Sequence, residues 1–359
     1  MRSSWKRYFL LIGLIIIVSS LLSGCSSFLN KNGGQKAGPS TPIVFADAEW
    51  ESIKAHNRIA GYIIEHGYGY QPIYLAGETL PLFDALSRGD VDIMMEVWSS
   101  DYPEQWKQML KSAQVKDLGT NYSSVLQGWF IPAYMVEGDT ERGIEPQLPG
   151  LKSVQDLPAY KEKFKLSTTT NNGIILNAPR GWPAETINTE KFKTYHLSYY
   201  FMLLDSDSEQ YLTDSLDKAY ARGDAWLGYA RDPSMITAGH KMLLLREEPY
   251  SEELWKLGRG CAYAQGNVMK AANKGMNEKA PELLDFLQKY ATTREQNEAM
   301  LLYLKNSGGA REKAAQEWLK KNPDVWSQWV SDDIAKKIWA DLNPKPQNKS
   351  SFFSKLFKK

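Results

Sequence analysis

Residues 88–98, Arg-Gly-Asp-Val-Asp-Ile-Met-Met-Glu-Val-Trp, place an apolar run behind a Gly-Asp turn and end it on a tryptophan. Such a run reads as a buried strand that carries one aromatic ring to its carboxyl edge. In open parallel sheets ligands bind outside the carboxyl ends of the strands, so Trp98 is the first candidate for a binding residue. The alternative for Trp98 is a ring that closes the core, an ordinary place for an indole.

The neighbours of this strand set the architecture. Pro42–Asp47 is a short buried strand with an acidic turn, followed by Trp50, Ile53, Asn57, Ala60 and Ile64 at helical spacing. The spacing predicts a helix that starts near Asp47 or Glu49 and stops at Gly67. Residues 71–76 read as a second strand, 78–87 as a second helix and 88–98 as the third strand. This alternation predicts right-handed crossovers and a parallel sheet with helices on both faces. It also leaves the first helix's N-terminus, at Asp47, Ala48 and Glu49, with backbone N–H groups able to receive an anion.

Residues 126–135 are again strand-like, and the polar passage 137–149 marks a crossing into an inserted second lobe of residues 136–240. Short strands at 164–168 and 226–230 and a helix over 208–221 belong to that lobe. Lys241–Leu245 is a buried strand that returns the chain, so the first lobe comprises 42–135 and 241–343. Beyond Arg259 the pattern predicts helices over 267–273, 278–290, 294–305, 310–320 and 323–342.

At the other end, Arg2, Lys6 and Arg7 precede a mostly apolar stretch that closes on Leu22-Ser23-Gly24-Cys25. The segment resembles a bacterial lipoprotein signal with its lipobox. That resemblance implies removal of residues 1–24 and lipidation of Cys25, with 25–41 as a flexible tether. An uncleaved anchor is the other reading, but a spanning helix needs roughly 20 apolar residues, more than this run supplies. Either way the body is held at the cell membrane, outside the cytoplasm. An acylated Cys25 cannot pair with Cys261, so no disulfide framework is expected. Residues 344–359 mix lysines with phenylalanines, a composition that suits either anionic lipid or a solubilising tail.

A chain of 359 residues, 43% hydrophobic and 24% charged, has enough material for two separate cores. Its formal net charge of +1 offers no bulk attraction to nucleic acid. Twelve tryptophans and nineteen tyrosines exceed what such cores usually take, and rings of this kind hold sugars or organic cations. A generously aromatic core is the alternative. The sequence contains no Gly-x-Ser-x-Gly elbow, no phosphate-binding Gly-x-x-x-x-Gly-Lys-Ser/Thr and no His-Glu-x-x-His. Scattered histidines and two cysteines supply neither a zinc site nor a Cys-His nucleophile, so no catalytic residue, metal or cofactor is assigned. Asp47 with Glu49, or Glu96, would be the carboxylates of a hydrolase, yet no spacing separates them from solvated or capping roles.

Three segments carry a resemblance to a known family. The first runs from Phe45-Ala46-Asp47-Ala48-Glu49-Trp50-Glu51-Ser52 through Gly67-Tyr68-Gly69-Tyr70 to Gly89-Asp90-Val91-Asp92 and Met95-Glu96-Val97-Trp98. The second is Asn177-Ala178-Pro179-Arg180-Gly181-Trp182-Pro183-Ala184-Glu185, and the third Trp226-Leu227-Gly228-Tyr229-Ala230-Arg231-Asp232-Pro233. Together they resemble the substrate-binding proteins of ABC transporters for glycine betaine and related compatible solutes, over residues 41–340.

The resemblance implies a type II periplasmic-binding-protein fold: two α/β lobes, two crossings and a ligand cleft between the lobes. It implies a quaternary ammonium held in a box of tryptophan faces, with Trp98 and Trp182 as two walls. The solute's anionic end would meet the backbone at Ala48 and Glu49. Glu96, on the alternation face of Trp98, would bond to the solute or set the ring's orientation. The third wall departs from the family pattern, because Arg231 stands where a tryptophan is usual, and Met235 holds a later aromatic position. Pro183 also lacks an N–H to offer a carboxylate. Two readings stay open. Arg231 turns outward or pairs with Asp232 while Tyr229 or Trp226 completes the box; or Arg231 faces the cleft and retunes it for a different small zwitterionic or anionic solute. The implied function is a monomeric, membrane-tethered solute receptor that docks on an ABC permease and its ATPase. The rivals are a receptor that presents ligand to a sensor partner and an extracellular hydrolase.

Overall fold

The computed structural model describes residues 41–165 and 171–344, which build two five-stranded sheets. Cys25 with its lipobox, the tether and residues 345–359 lie outside the described residues, as does most of the strand expected at 164–168. In the first sheet, β1 (Ile43–Asp47), β2 (Pro72–Ala76), β3 (Ile93–Trp98), β4 (Val115–Tyr122) and β10 (Val268–Asn273) stand in the order β2-β1-β3-β10-β4. β1 runs parallel to β2 and to β3. All six residues of β3 are buried, with Ile93 and Met95 in one apolar cluster and Met94 in the other. Cover on both faces is the reason the run is so apolar. Helices α1 (Glu51–Tyr62, prolonged by a π turn over Ile63–Tyr68) and α2 (Thr79–Arg88) make the crossovers. Gly89, at φ +87°, ends α2 in the left-handed conformation a glycine adopts without a Cβ penalty, and the chain turns there into β3.

Two expectations change in this sheet. β10 pairs antiparallel with both β3 and β4, so the sheet is mixed rather than parallel. Its sequence, Val-Met-Lys-Ala-Ala-Asn, reads as helix from composition. A slot between two strands accepts only an extended segment, and that pairing overrides local preference.

The second sheet comprises β5 (Leu126–Pro132), β6 (Gly173–Pro179), β7 (Phe201–Ser206), β8 (Gly228–Asp232) and β9 (Met242–Leu244), in the order β7-β6-β8-β5-β9. β6 is parallel to β7 and β8, whereas β5 is antiparallel to β8 and β9. The strands at 126–135 and 241–245, expected in the first lobe, therefore pair in the second. Apolar pattern reports that a strand is buried, not which sheet buries it. The chain crosses between Tyr122 and Leu126 and returns shortly before Val268. Up to Tyr263 it still packs on α4 (Pro183–Thr194) of the second lobe, through Lys191 to Glu247 at 2.6 Å and Tyr263 to Asn188 at 2.7 Å.

Helix α3 (Pro103–Lys111) leads into β4, and α5 (Glu209–Arg222) joins β7 to β8. The C-terminal helices α6 (Pro281–Lys289), α7 (Arg294–Asn306), α8 (Arg311–Lys321) and α9 (Asp332–Leu342) bury Phe286, Leu301, Trp318 and Ile338 with Ile43 and Phe45 of β1. The single helix expected over 323–342 is broken by a 3-10 turn at Ser327–Trp329. Among the described residues no helix is long and apolar enough to cross a membrane.

Candidate functional site

Four strand ends converge. β1 leads to Trp50, the N-cap of α1; β3 ends on Trp98; β6 leads to Trp182, the N-cap of α4; and β8 carries Tyr229 and Arg231. Gly181 reaches φ +84° just before Trp182, and Pro183 takes the first helical position, where a missing N–H costs nothing.

Trp50 and Trp182 meet edge to face across the lobes, with centroids 6.0 Å apart and planes at 81°. Tyr229 meets Trp182 in the same manner at 6.5 Å. In the middle stands the Arg231 guanidinium, its Cζ 4.0 Å from the ring centroid of Trp98, 4.4 Å from Trp182 and 5.8 Å from Trp50. Three indoles thus enclose one cation. Its edge is hydrogen-bonded: Nε donates to the Tyr229 hydroxyl at 3.1 Å and Nη2 to Asp101 at 2.7 Å. Both members of the Arg231–Asp101 pair are buried.

Arg231 therefore faces the cleft, and the outward orientation and the pair with Asp232 do not occur. Successive residues of a strand point to opposite faces, and Asp232 pairs instead with Arg294 of α7. Trp226 donates its indole N–H to Ser215 at 2.9 Å rather than completing the box.

Glu96 orients the walls. One oxygen, Oε2, accepts from the Trp50 indole at 2.6 Å, the Trp98 indole at 3.2 Å and the Ser52 hydroxyl at 3.0 Å. Burial pushes the Glu96 carboxyl up, and these three donors oppose the shift. Burial likewise raises Asp101, against the pull of the Arg231 charge. Behind Glu96 lies His56, whose Nε2 is 3.7 Å from Oε1 and whose Nδ1 is 2.7 Å from the Tyr290 hydroxyl. Burial drives His56 down to about 3, which leaves the ring neutral.

The turn expected to receive an anion is arranged differently. Ala48 is buried, while Glu49 is exposed and lends only its carbonyl, to Lys54 at 3.1 Å. The Asp47 carboxylate is taken by Asn57 at 2.9 Å and by Arg58. The helix begins at Glu51, whose backbone N–H donates to Oε2 of Glu209 at 3.0 Å. Glu209 comes from the first turn of α5, in the opposite lobe, and burial pushes its carboxyl up to about 7.

The structure thus joins Trp98, Trp182, Glu96, Tyr229 and Arg231 in one cluster and leaves the Glu49 side chain outside it. Sequence reasoning missed Trp50, Asp101 and Glu209. The helical spacing of Trp50 absorbed it into the core, although its place directly after Asp47-Ala48-Glu49 in the first segment was a usable signal. Nothing in the sequence marks Glu209.

Two α/β lobes that meet over a buried aromatic cleft define a bilobed solute-binding protein, of the kind that hinges shut on a small molecule. The chain belongs to the family of substrate-binding domains of ABC-type glycine betaine transport systems, whose model matches residues 41–321. Members of this family are substrate-binding proteins of transporters, not enzymes. Over 320 residues the chain is 22% identical to the trimethylamine N-oxide-binding protein of Pelagibacter ubique (strain HTCC1062), covering 88% of this chain and 99% of that one. The glycine betaine/L-proline-binding protein of Borrelia burgdorferi superimposes with a TM-score of 0.64 at 17% identity, over 83% of this chain and 100% of its own. Lactococcal OpuAC, closed and complexed with glycine betaine, gives 0.62 at 19% identity, over 81% and 100%. At such identities these structures speak for the fold alone.

Proposed function

We propose that the cleft binds a small N-methylated ammonium solute, of the class that includes glycine betaine, choline and trimethylamine N-oxide, and hands it to an ABC permease driven by its ATPase. The supporting observation is the box. Trp50, Trp98 and Trp182 surround a cationic position 4.0 to 5.8 Å from their centroids, and Glu96 holds two of the rings by their indole N–H groups. A fully methylated ammonium has no N–H to donate, so π faces are its natural partners, at about 0.5 to 2 kcal/mol per ring. On this reading Arg231 holds the cation's place and yields it to the solute while keeping its Asp101 partner. Membership of an ABC transport family supports the permease and the ATPase.

A second reading is favoured by the buried Arg231–Asp101 pair. Arg231 stays in the box and receives the carboxylate of a different small anionic or zwitterionic solute. Tryptophan-fluorescence titration with glycine betaine, choline, trimethylamine N-oxide, proline and succinate separates the two. The first reading expects saturation by a methylated amine and a loss of roughly tenfold in affinity, about 1.4 kcal/mol, in Trp98→Ala. Saturation by succinate alone would sink it in favour of the second.

Attachment at the extracytoplasmic face through an acylated Cys25 belongs to the same proposal and rests on the Leu22-Ser23-Gly24-Cys25 motif. Cys25→Ala is expected to abolish incorporation of a palmitate analogue and release the protein from membranes. A labelled variant would end the lipid-anchor reading.

A further inference from the structure

Both poles of the cleft are held by the protein's own side chains. Arg231 stands among the three indoles, and Glu209 sets a carboxylate oxygen 3.0 Å from the Glu51 nitrogen, at the head of the twelve-residue helix α1. A helix N-terminus next to an indole cage is where the acidic end of a betaine-type zwitterion finds N–H donors. Here that acidic end comes from the opposite lobe of the same chain.

Charge inside the enclosure points the same way. Arg231 is set against Asp101, which it bonds; Glu96, which lies under Trp50 and Trp98; and Glu209 at the head of α1. The Glu51 carboxylate also bears on Glu209, offset in part by Arg311, which grips it with two bonds of 2.7 Å. A methylated cation reduces the negative excess. A zwitterion instead brings its own carboxylate to a helix end that Glu209 already fills, where removal from water strengthens repulsion between like charges. Burial pushes the Glu209 carboxyl up to about 7, opposed by the Glu51 N–H that it accepts and by the Arg231 charge, with the carboxylates of Glu51 and Glu96 adding to the rise.

Resting on the reading that the box takes a methylated ammonium head, we infer that Glu209 is a specificity-determining residue: it fills the subsite of a solute carboxylate and selects N-methylated amines that lack one. Glu209→Gln preserves the side chain's shape and an acceptor for the Glu51 N–H while removing the charge.

Calorimetric titration at about pH 8.5, where a carboxyl held at about 7 is ionised, tests this on the full chain and on Glu209→Gln, with choline and trimethylamine N-oxide as carboxylate-free probes and glycine betaine as the carboxylate-bearing one. The unaltered protein is expected to bind the better carboxylate-free probe more than about threefold tighter than glycine betaine. In Glu209→Gln that ratio is expected to fall by more than about threefold. A smaller preference in the unaltered protein overturns the inference without reference to any variant's folding, and so does a ratio that stays put in Glu209→Gln. Failure of all three probes to bind defeats the indole-box reading itself, an outcome distinct from glycine betaine binding as well as choline.

Discussion

Glu96 gathers two indole N–H groups and a hydroxyl on one buried oxygen. Its loss would leave three donors without an acceptor, each at a cost of about 1 to 3 kcal/mol. Glu96→Ala is therefore expected to destabilise the protein in urea by at least ~2 kcal/mol and to blunt the tryptophan response to solute. Glu96→Gln retains an acceptor oxygen and should be milder. Equal unfolding free energies for the alanine variant and the parent would show that the rings hold their places without Glu96. Trp98 was legible as a site residue because it ends a predicted strand, and Trp182 because the segment Asn177–Glu185 resembles the family's motif. The direction of Arg231 was not, because its charge partner Asp101 lies 130 residues away in the other lobe.

At the level of the element, α1 and α5 meet end to end through Glu209 and the Glu51 N–H. The charged groups bearing on Glu209 are Glu51 from α1, Glu96 from β3 and Arg231 from β8. An acid raised from 4.5 to about 7 keeps its proton in the folded protein over a range where the unfolded chain has lost it. The stability contributed by the neutral carboxyl is complete below the unfolded value and is lost as pH climbs through about 7. Between about pH 5 and pH 8, thermal midpoints are expected to drop further for the parent than for Glu209→Gln. Parallel profiles would mean that Glu209 titrates normally. Helix periodicity located α5 to within one residue and placed the start of α1 two to four residues early, yet it is blind to which helix end faces which.

Across the whole molecule, closure of the lobes is electrostatic as well as aromatic. Arg294 of α7 pairs with Asp232 of β8, and Lys305 of α7 meets Asp217 of α5 at 2.5 Å, on the oxygen that His240 also approaches at 2.6 Å. These pairs are partly exposed, whereas Arg231–Asp101 is buried. Salt at about 1 M shortens the Debye length to about 3 Å and screens the partly exposed pairs first. Small-angle scattering is expected to report a larger radius of gyration for Arg294→Ala/Lys305→Ala, and an increase in the parent at high salt. An unchanged radius in both cases would assign closure to the indole box alone.

By itself the sequence determined two α/β lobes, the run of β3 through the core, the strand-end position of Trp98 and the motif that singles out Trp182. Each of these is written in local periodicity and in short motifs. Only the tertiary structure decided that β5 and β9 join the second sheet and that β10 is a strand between β3 and β4. It also turned Arg231 into the box and set Glu209 against the head of α1, 158 residues from Glu51. Periodicity records whether a segment is buried; which charge meets which helix end depends on how the two lobes close on each other.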